Sequence, residues 1–111
     1  AGIEQIRNSA ADVVLVDPQF APSVNAKPAV HAMVDMIGFT AKRTHVPLFR
    51  RYVAMRHWHE DQAIAVERFI TPDGLHMNDW GYSCFARLMA DNIAATIVRS
   101  RAVADVKPLV P

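Results

Sequence analysis

The chain reads as a layered α/β fold, in which a parallel sheet carries helices on its faces. Three observations lead there. Two short apolar runs, Asp12-Val13-Val14-Leu15-Val16 and Val46-Pro47-Leu48-Phe49, have the character of buried strands. A stripe of apolar residues at helical spacing lies between them, and a second such stripe follows later. The order helix, strand, helix, strand, helix is that of parallel strands joined by right-handed helical crossovers.

Taken in order, residues 3–10 look like the last turns of a helix, with Ile3 and Ile6 on one side and Glu4 and Arg7 on the other. The Asp12 to Val16 run is apolar on both faces, as a buried parallel strand is, and Asp17-Pro18 ends it. A loop with Pro18, Pro22 and Pro28 runs to about Lys27. A helix then starts near Pro28, because proline is tolerated in the first helical turn. Its apolar stripe is Val30, Met33, Val34, Ile37 and Ala41, and Lys42, Arg43 and His45 sit where positive charge suits the helix dipole. In the second strand run, Pro47 argues for an edge or a strand start. Residues 51–68 are expected to be helical in part, around Tyr52, Met55 and Trp58 and then Ile64 and Val66. Residues 71–79 form a polar turn. A last helix is expected from about Trp80 to Arg99, burying Phe85, Met89, Ile93 and Ile97, with Asn78 or Asp79 capping its first turn. The tail from Ala102 is expected to be irregular.

The bulk composition narrows the function. The chain has 111 residues, 51% hydrophobic and 21% charged, with a net charge of +1. That is one globular domain with a modest core. Its basic residues come in scattered pairs balanced by acids, which speaks against a nucleic-acid surface. No apolar run approaches the ~18 residues of a membrane-spanning helix. Cys84 is the single cysteine, so no internal disulfide forms and the redox compartment stays open. The chain begins Ala1-Gly2-Ile3-Glu4 with no initiator methionine, from which we expect processing or truncation, so the lack of a visible signal peptide says nothing about the parent protein.

The chemistry concentrates in Asp73-Gly74-Leu75-His76. Gly74 permits a tight turn. Such a turn can bring the Asp73 carboxylate onto one nitrogen of the His76 ring, fixing its tautomer and leaving the other nitrogen to accept a proton. The positive end of the following helix favours the neutral imidazole that a general base needs, and Asp79 tempers that effect. The same residues also read as an ordinary turn followed by an ordinary helix cap. His57, His59, Glu60 and Asp61 invite a metal reading, but residues two apart on a helix do not share a face, so no metal site is assigned. Gln19 and Phe20, just past the first strand, are candidates to line a substrate pocket or else to pack the loop.

The run Thr71-Pro72-Asp73-Gly74-Leu75-His76-Met77-Asn78-Asp79-Trp80-Gly81-Tyr82 resembles the last conserved block of the SGNH hydrolases, the GDSL esterase/lipase family. Ala11 to Gln19 looks like that family's fourth strand and the loop after it, and Val46 to Phe49 like its fifth. The stretch from Leu48 to Tyr52 and from Met55 to Trp58 is similar to a bacterial branch. The resemblance covers about residues 1–100. It implies a three-layer α/β/α, flavodoxin-like parallel sheet, of which residues 1–101 form the C-terminal half and residues 102–111 a tail. It implies that Asp73 and His76 are the acid and base of a Ser-His-Asp triad. The family's Gly-Asp-Ser block and its oxyanion-hole blocks lie upstream of the matched region and are absent here. Ser9, Ser23, Ser83 and Ser100 lack that context.

The expected function is therefore the C-terminal part of a serine ester hydrolase, inactive on its own. Its substrate would be a small acyl ester or an acetylated carbohydrate and it would need no cofactor; localisation stays open, and a periplasmic or secreted parent is compatible with the resemblance. Its partner would be the missing N-terminal half or a second copy. The alternative is a non-catalytic α/β interaction domain, standalone or a remnant, that self-associates or pairs with a partner through its open sheet edge and apolar faces.

Overall fold

A computed structural model describes residues 1–105, with side chains through Val98. The elements are α1 (Gly2–Asn8), β1 (Leu15–Val16), α2 (Pro22–Asn25), α3 (Val30–Thr44), β2 (Leu48–Phe49), α4 (Arg51–Glu60), a 3-10 turn (Val66–Arg68) and α5 (Asp79–Asp105). β1 and β2 pair in parallel, with Leu15 opposite Leu48 and Val16 opposite Phe49. The Leu15 amide donates to the Pro47 carbonyl at 2.9 Å, and the Asp17 amide to that of Phe49 at 3.3 Å. Successive strand residues point their backbone groups to alternate edges, so Val14 and Val16 present theirs to the side away from β2.

The strand is shorter than the sequence suggests. Only Leu15 and Val16 are paired, and Val14 is 46% exposed. Val13 and Val14 carry β-branched side chains, but β2, two residues long, does not extend to pair with them.

α3 joins the two strands, as expected. Its Val30 and Ala41 are buried, and Val34 packs against the core. It ends where His45 enters the left-handed region at φ 57° and the Val46 amide reaches back to the Ala41 carbonyl at 2.9 Å, closing the last turn. Met33, expected in the buried stripe, is instead 48% exposed, next to Met36 and Phe39 on the same uncovered side.

One hydrophobic cluster holds the molecule together. Tyr52, Met55 and Trp58, at three-residue spacing on α4, meet Phe20, Ala21 and Val30 on one side and Phe69, Ile70 and Met77 on the other. Trp58 and Phe69 meet edge-on at 5.6 Å, as do Phe20 and Tyr52 at 5.4 Å. Edge-to-face pairs add about 0.5–1.5 kcal/mol each beyond burial. The first turns of α5 join this core through Cys84 and Phe85, whose ring stands edge-on to Phe49 at 5.0 Å.

The rest of α5 differs from expectation. Ile93 and Ile97 are 41% and 48% exposed, and the helix runs on to Asp105 instead of stopping near Arg99. Twenty-seven residues make a rod of about 40 Å, longer than the core that could cover it. The radius of gyration, 17.1 Å, exceeds the value of about 13 Å for a compact domain of this length. The expected tail lies, beyond Asp105, outside the described residues. Among the described residues, no helix is long and apolar enough to cross a membrane.

Candidate acid-base site

Residues 71–76 form a closed turn at the entrance to α5. The antiparallel bridge between Ile70 and Met77 brings its two ends together, and both side chains are buried. The Thr71 amide donates to the His76 carbonyl at 2.8 Å, and the Gly74 amide to that of Thr71 at 3.0 Å. Gly74 sits at φ 73°, where other residues are strained.

Inside this turn the Asp73 carboxylate is saturated with donors. Its Oδ1 accepts the Thr71 hydroxyl at 2.5 Å, the Leu75 amide at 2.9 Å and the His76 amide at 3.1 Å. Its Oδ2 lies 2.5 Å from His76 Nδ1. An ionised carboxylate can only accept, so Nδ1 carries the proton, and in the neutral tautomer of the ring Nε2 is the nitrogen with the lone pair. The Thr71 hydroxyl first, then the His76 ring and the two amides, hold the Asp73 carboxyl well below the usual carboxylate range. The Asp73 carboxyl is therefore ionised at neutral pH. The pair is open to solvent, with the His76 side chain 64% and the Asp73 side chain 48% exposed. No serine hydroxyl is hydrogen-bonded to His76 among the described residues.

Asn78 fixes where α5 begins. Its Oδ1 accepts the Gly81 amide at 2.8 Å, capping the first turn, and its Nδ2 donates to the Arg68 carbonyl at 2.9 Å. Gly81 is required by close approach: a Cβ there would stand 2.5 Å from the Phe69 carbonyl oxygen. The helix start thus lies tightly against the strand-like segment that precedes the turn.

The two residues expected to line a pocket are placed differently from one another. Phe20 is 8% exposed and packs on Tyr52 and His59, so it belongs to the core. Gln19 reaches the acid-base turn, donating from Nε2 to the Leu75 carbonyl at 3.2 Å and accepting Arg51 Nη2 on Oε1 at 3.2 Å. Both ends of its amide are occupied by protein. His57 pairs with Asp61 at 2.7 Å, and His59 Nδ1 faces the Ile64 carbonyl at 2.9 Å. No group of three potential metal ligands converges among the described residues.

Sequence reasoning missed two contributors. Thr71 is the strongest influence on the Asp73 carboxyl, and its only sequence signal was a hydroxyl two residues before the acid. Asp17 read as the residue ending a strand, but it is fully buried and its Oδ1 accepts the Tyr52 amide at 2.8 Å, capping α4 from another segment. No protein-family model, curated protein or solved structure matches the chain.

Proposed function

We propose that this chain supplies the acid and the base of a Ser-His-Asp triad in an ester hydrolase of the SGNH type, with the nucleophilic serine on a segment outside it. The observation that carries the reading is the contact between Asp73 Oδ2 and His76 Nδ1 at 2.5 Å, on a histidine whose Nε2 has no protein partner among the described residues. In a triad the acid holds the imidazole in one tautomer and stabilises the imidazolium, while the free nitrogen takes the serine proton and returns it to the leaving group. The contact that would hold the tautomer lies within one turn, which supports this reading. The short run of parallel strands, the crossover helix and the turn before the last helix agree in order with the C-terminal half of that fold. The substrate class is a small acyl ester or an acetylated carbohydrate, and the proposed chemistry proceeds without a cofactor.

The reading is tested on the gene. A continuous frame upstream of Ala1, with a Gly-Asp-Ser motif roughly a hundred residues earlier, supports it. A start codon directly before Ala1 removes it. At the bench, the isolated chain is expected to turn over no small aryl ester. Turnover that disappears in His76→Ala would mean that the serine is in this chain after all.

A second reading rests on a different observation. Met36 and Phe39 on α3 are 61% and 66% exposed, and Val98 on α5 is 65% exposed. Exposed apolar faces of this kind favour association. On that reading the chain is an interaction domain that pairs with a second copy, and the acid-base turn is a helix entrance only.

A further inference from the structure

The acid-base turn makes most of its hydrogen bonds to itself. Among the described residues, two hydrogen bonds tie residues 73–76 to the chain outside residues 71–76. One runs from the Ser23 amide to the Gly74 carbonyl at 2.9 Å. The other runs from Gln19 Nε2 to the carbonyl of Leu75, the residue directly before His76. The first is a backbone contact that any residue at position 23 except proline could make. The second depends on one side chain.

We infer that Gln19 is a positioning residue for the Asp73–His76 pair, docking the pre-formed turn onto the carboxyl end of β1, and that Arg51 fixes the direction of its amide. This inference rests on the triad reading given above.

The direction of the amide follows from its neighbours. A guanidinium only donates, so the end of Gln19 that meets Arg51 Nη2 must be the oxygen. A carbonyl only accepts, so the end that meets Leu75 must be the NH2 group. Flipping the amide would lose both bonds at once. Arg51 is itself held, with Nε donating to the Asp17 carbonyl at 3.1 Å and its guanidinium 5.4 Å from the centre of the Phe85 ring. Arg51 opens α4, Asp17 follows β1, and Phe85 is on α5. One arginine therefore gathers three parts of the framework and hands their position to Gln19, which hands it to the histidine turn. For a base that must meet a serine brought from elsewhere, placement on the framework decides whether the two reach hydrogen-bond distance.

Gln19→Glu provides the test. It keeps the size of the side chain and the acceptor for Arg51 but removes the donor to Leu75. Amide hydrogen exchange by NMR, on the full chain at neutral pH, reads the docking directly. The Ser23 amide donates to the Gly74 carbonyl, so its protection is expected to follow the docking of the turn. The Leu75 and His76 amides are protected by Asp73 inside the turn. Losing one hydrogen bond makes opening roughly fivefold more frequent. We expect about that acceleration at Ser23 in Gln19→Glu and in Gln19→Ala, with Leu75, His76 and the core amide of Met55 unchanged. Unchanged exchange at Ser23 in Gln19→Glu overturns the inference. So does equal acceleration at Ser23 and Met55, which marks a general loss of stability. The ring nitrogen shifts of His76 are recorded in the same samples. A wild-type ring without its proton on Nδ1 would defeat the triad reading, whereas failure at Ser23 alone leaves that reading standing.

Discussion

The carboxylate of Asp17 accepts the backbone amide of Tyr52 at 2.8 Å, so a fully buried acid after β1 caps the helix that opens after β2. Its second oxygen, Oδ2, is buried without a hydrogen-bond partner among the described residues. Burial pushes the Asp17 carboxyl up, against the Tyr52 and Arg51 amides and the charges of Arg50 and Arg51, which pull it down. The folded value therefore lies above the unfolded one. The stability this gives is complete below the unfolded value and is lost as pH rises through the folded one. We expect Asp17→Asn, which keeps the acceptor for Tyr52, to flatten that pH dependence. Asp17→Ala removes the cap and costs about 1–2 kcal/mol. Urea unfolding of the three proteins between acid and neutral pH measures both effects.

Thr71→Val removes the strongest influence on Asp73 while keeping the side chain's shape. The Asp73 carboxyl should then titrate at higher pH, moving toward the ordinary carboxylate range. Carbon NMR of the Asp73 carboxyl group reads the shift. An unmoved titration would mean that the histidine ring and the two amides suffice alone. Since the wild-type value is depressed, the stabilisation tied to Asp73 is present above the unfolded value and is lost as the pH falls below it.

Two glycines give opposite expectations. At Gly81 a Cβ would stand 2.5 Å from the Phe69 carbonyl oxygen, so Gly81→Ala should destabilise by about 1–3 kcal/mol, even though alanine is the better helix former. At Gly38, inside α3, the nearest atom to a new Cβ is Arg50 Nη2 at 3.7 Å, an ordinary contact. Gly38→Ala should therefore stabilise by about 0.5–1 kcal/mol. Thermal unfolding of the two variants side by side checks both signs.

Phe39→Lys and Ile97→Lys replace apolar side chains that are 66% and 48% exposed. Each should change unfolding free energy by no more than about 0.5 kcal/mol. Each should also lower the apparent mass of the chain in concentration-dependent light scattering. Equal mass for wild type and variants at every concentration would argue that these faces associate with nothing of their own kind.

Short-range patterns in the sequence carried much of the architecture. Pro28 and the stripe from Val30 to Ala41 announced α3, and the three-residue spacing of Tyr52, Met55 and Trp58 marked the buried face of α4. Leu15 and Leu48 do pair in parallel. The acid-base contact was legible because acid, turn glycine and base fall within one turn. What escaped was long-range. The stripe of Ile93 and Ile97 has helical period, but period says only which side is apolar, not whether anything covers it. The part of Asp17 as a cap for α4 and the link from Gln19 to Leu75 join segments far apart in the chain. No local propensity encodes such contacts.

The donors that surround the Asp73 carboxylate all come from residues 71–76. Closing so short a loop takes on the order of 10–100 ns, whereas pairing distant strands and docking helices takes far longer. The contacts that orient the histidine thus need no residue of the sheet. If a nucleophile arrives from another segment, the slow event in building the complete site is the encounter between the two pieces, not the arming of the base.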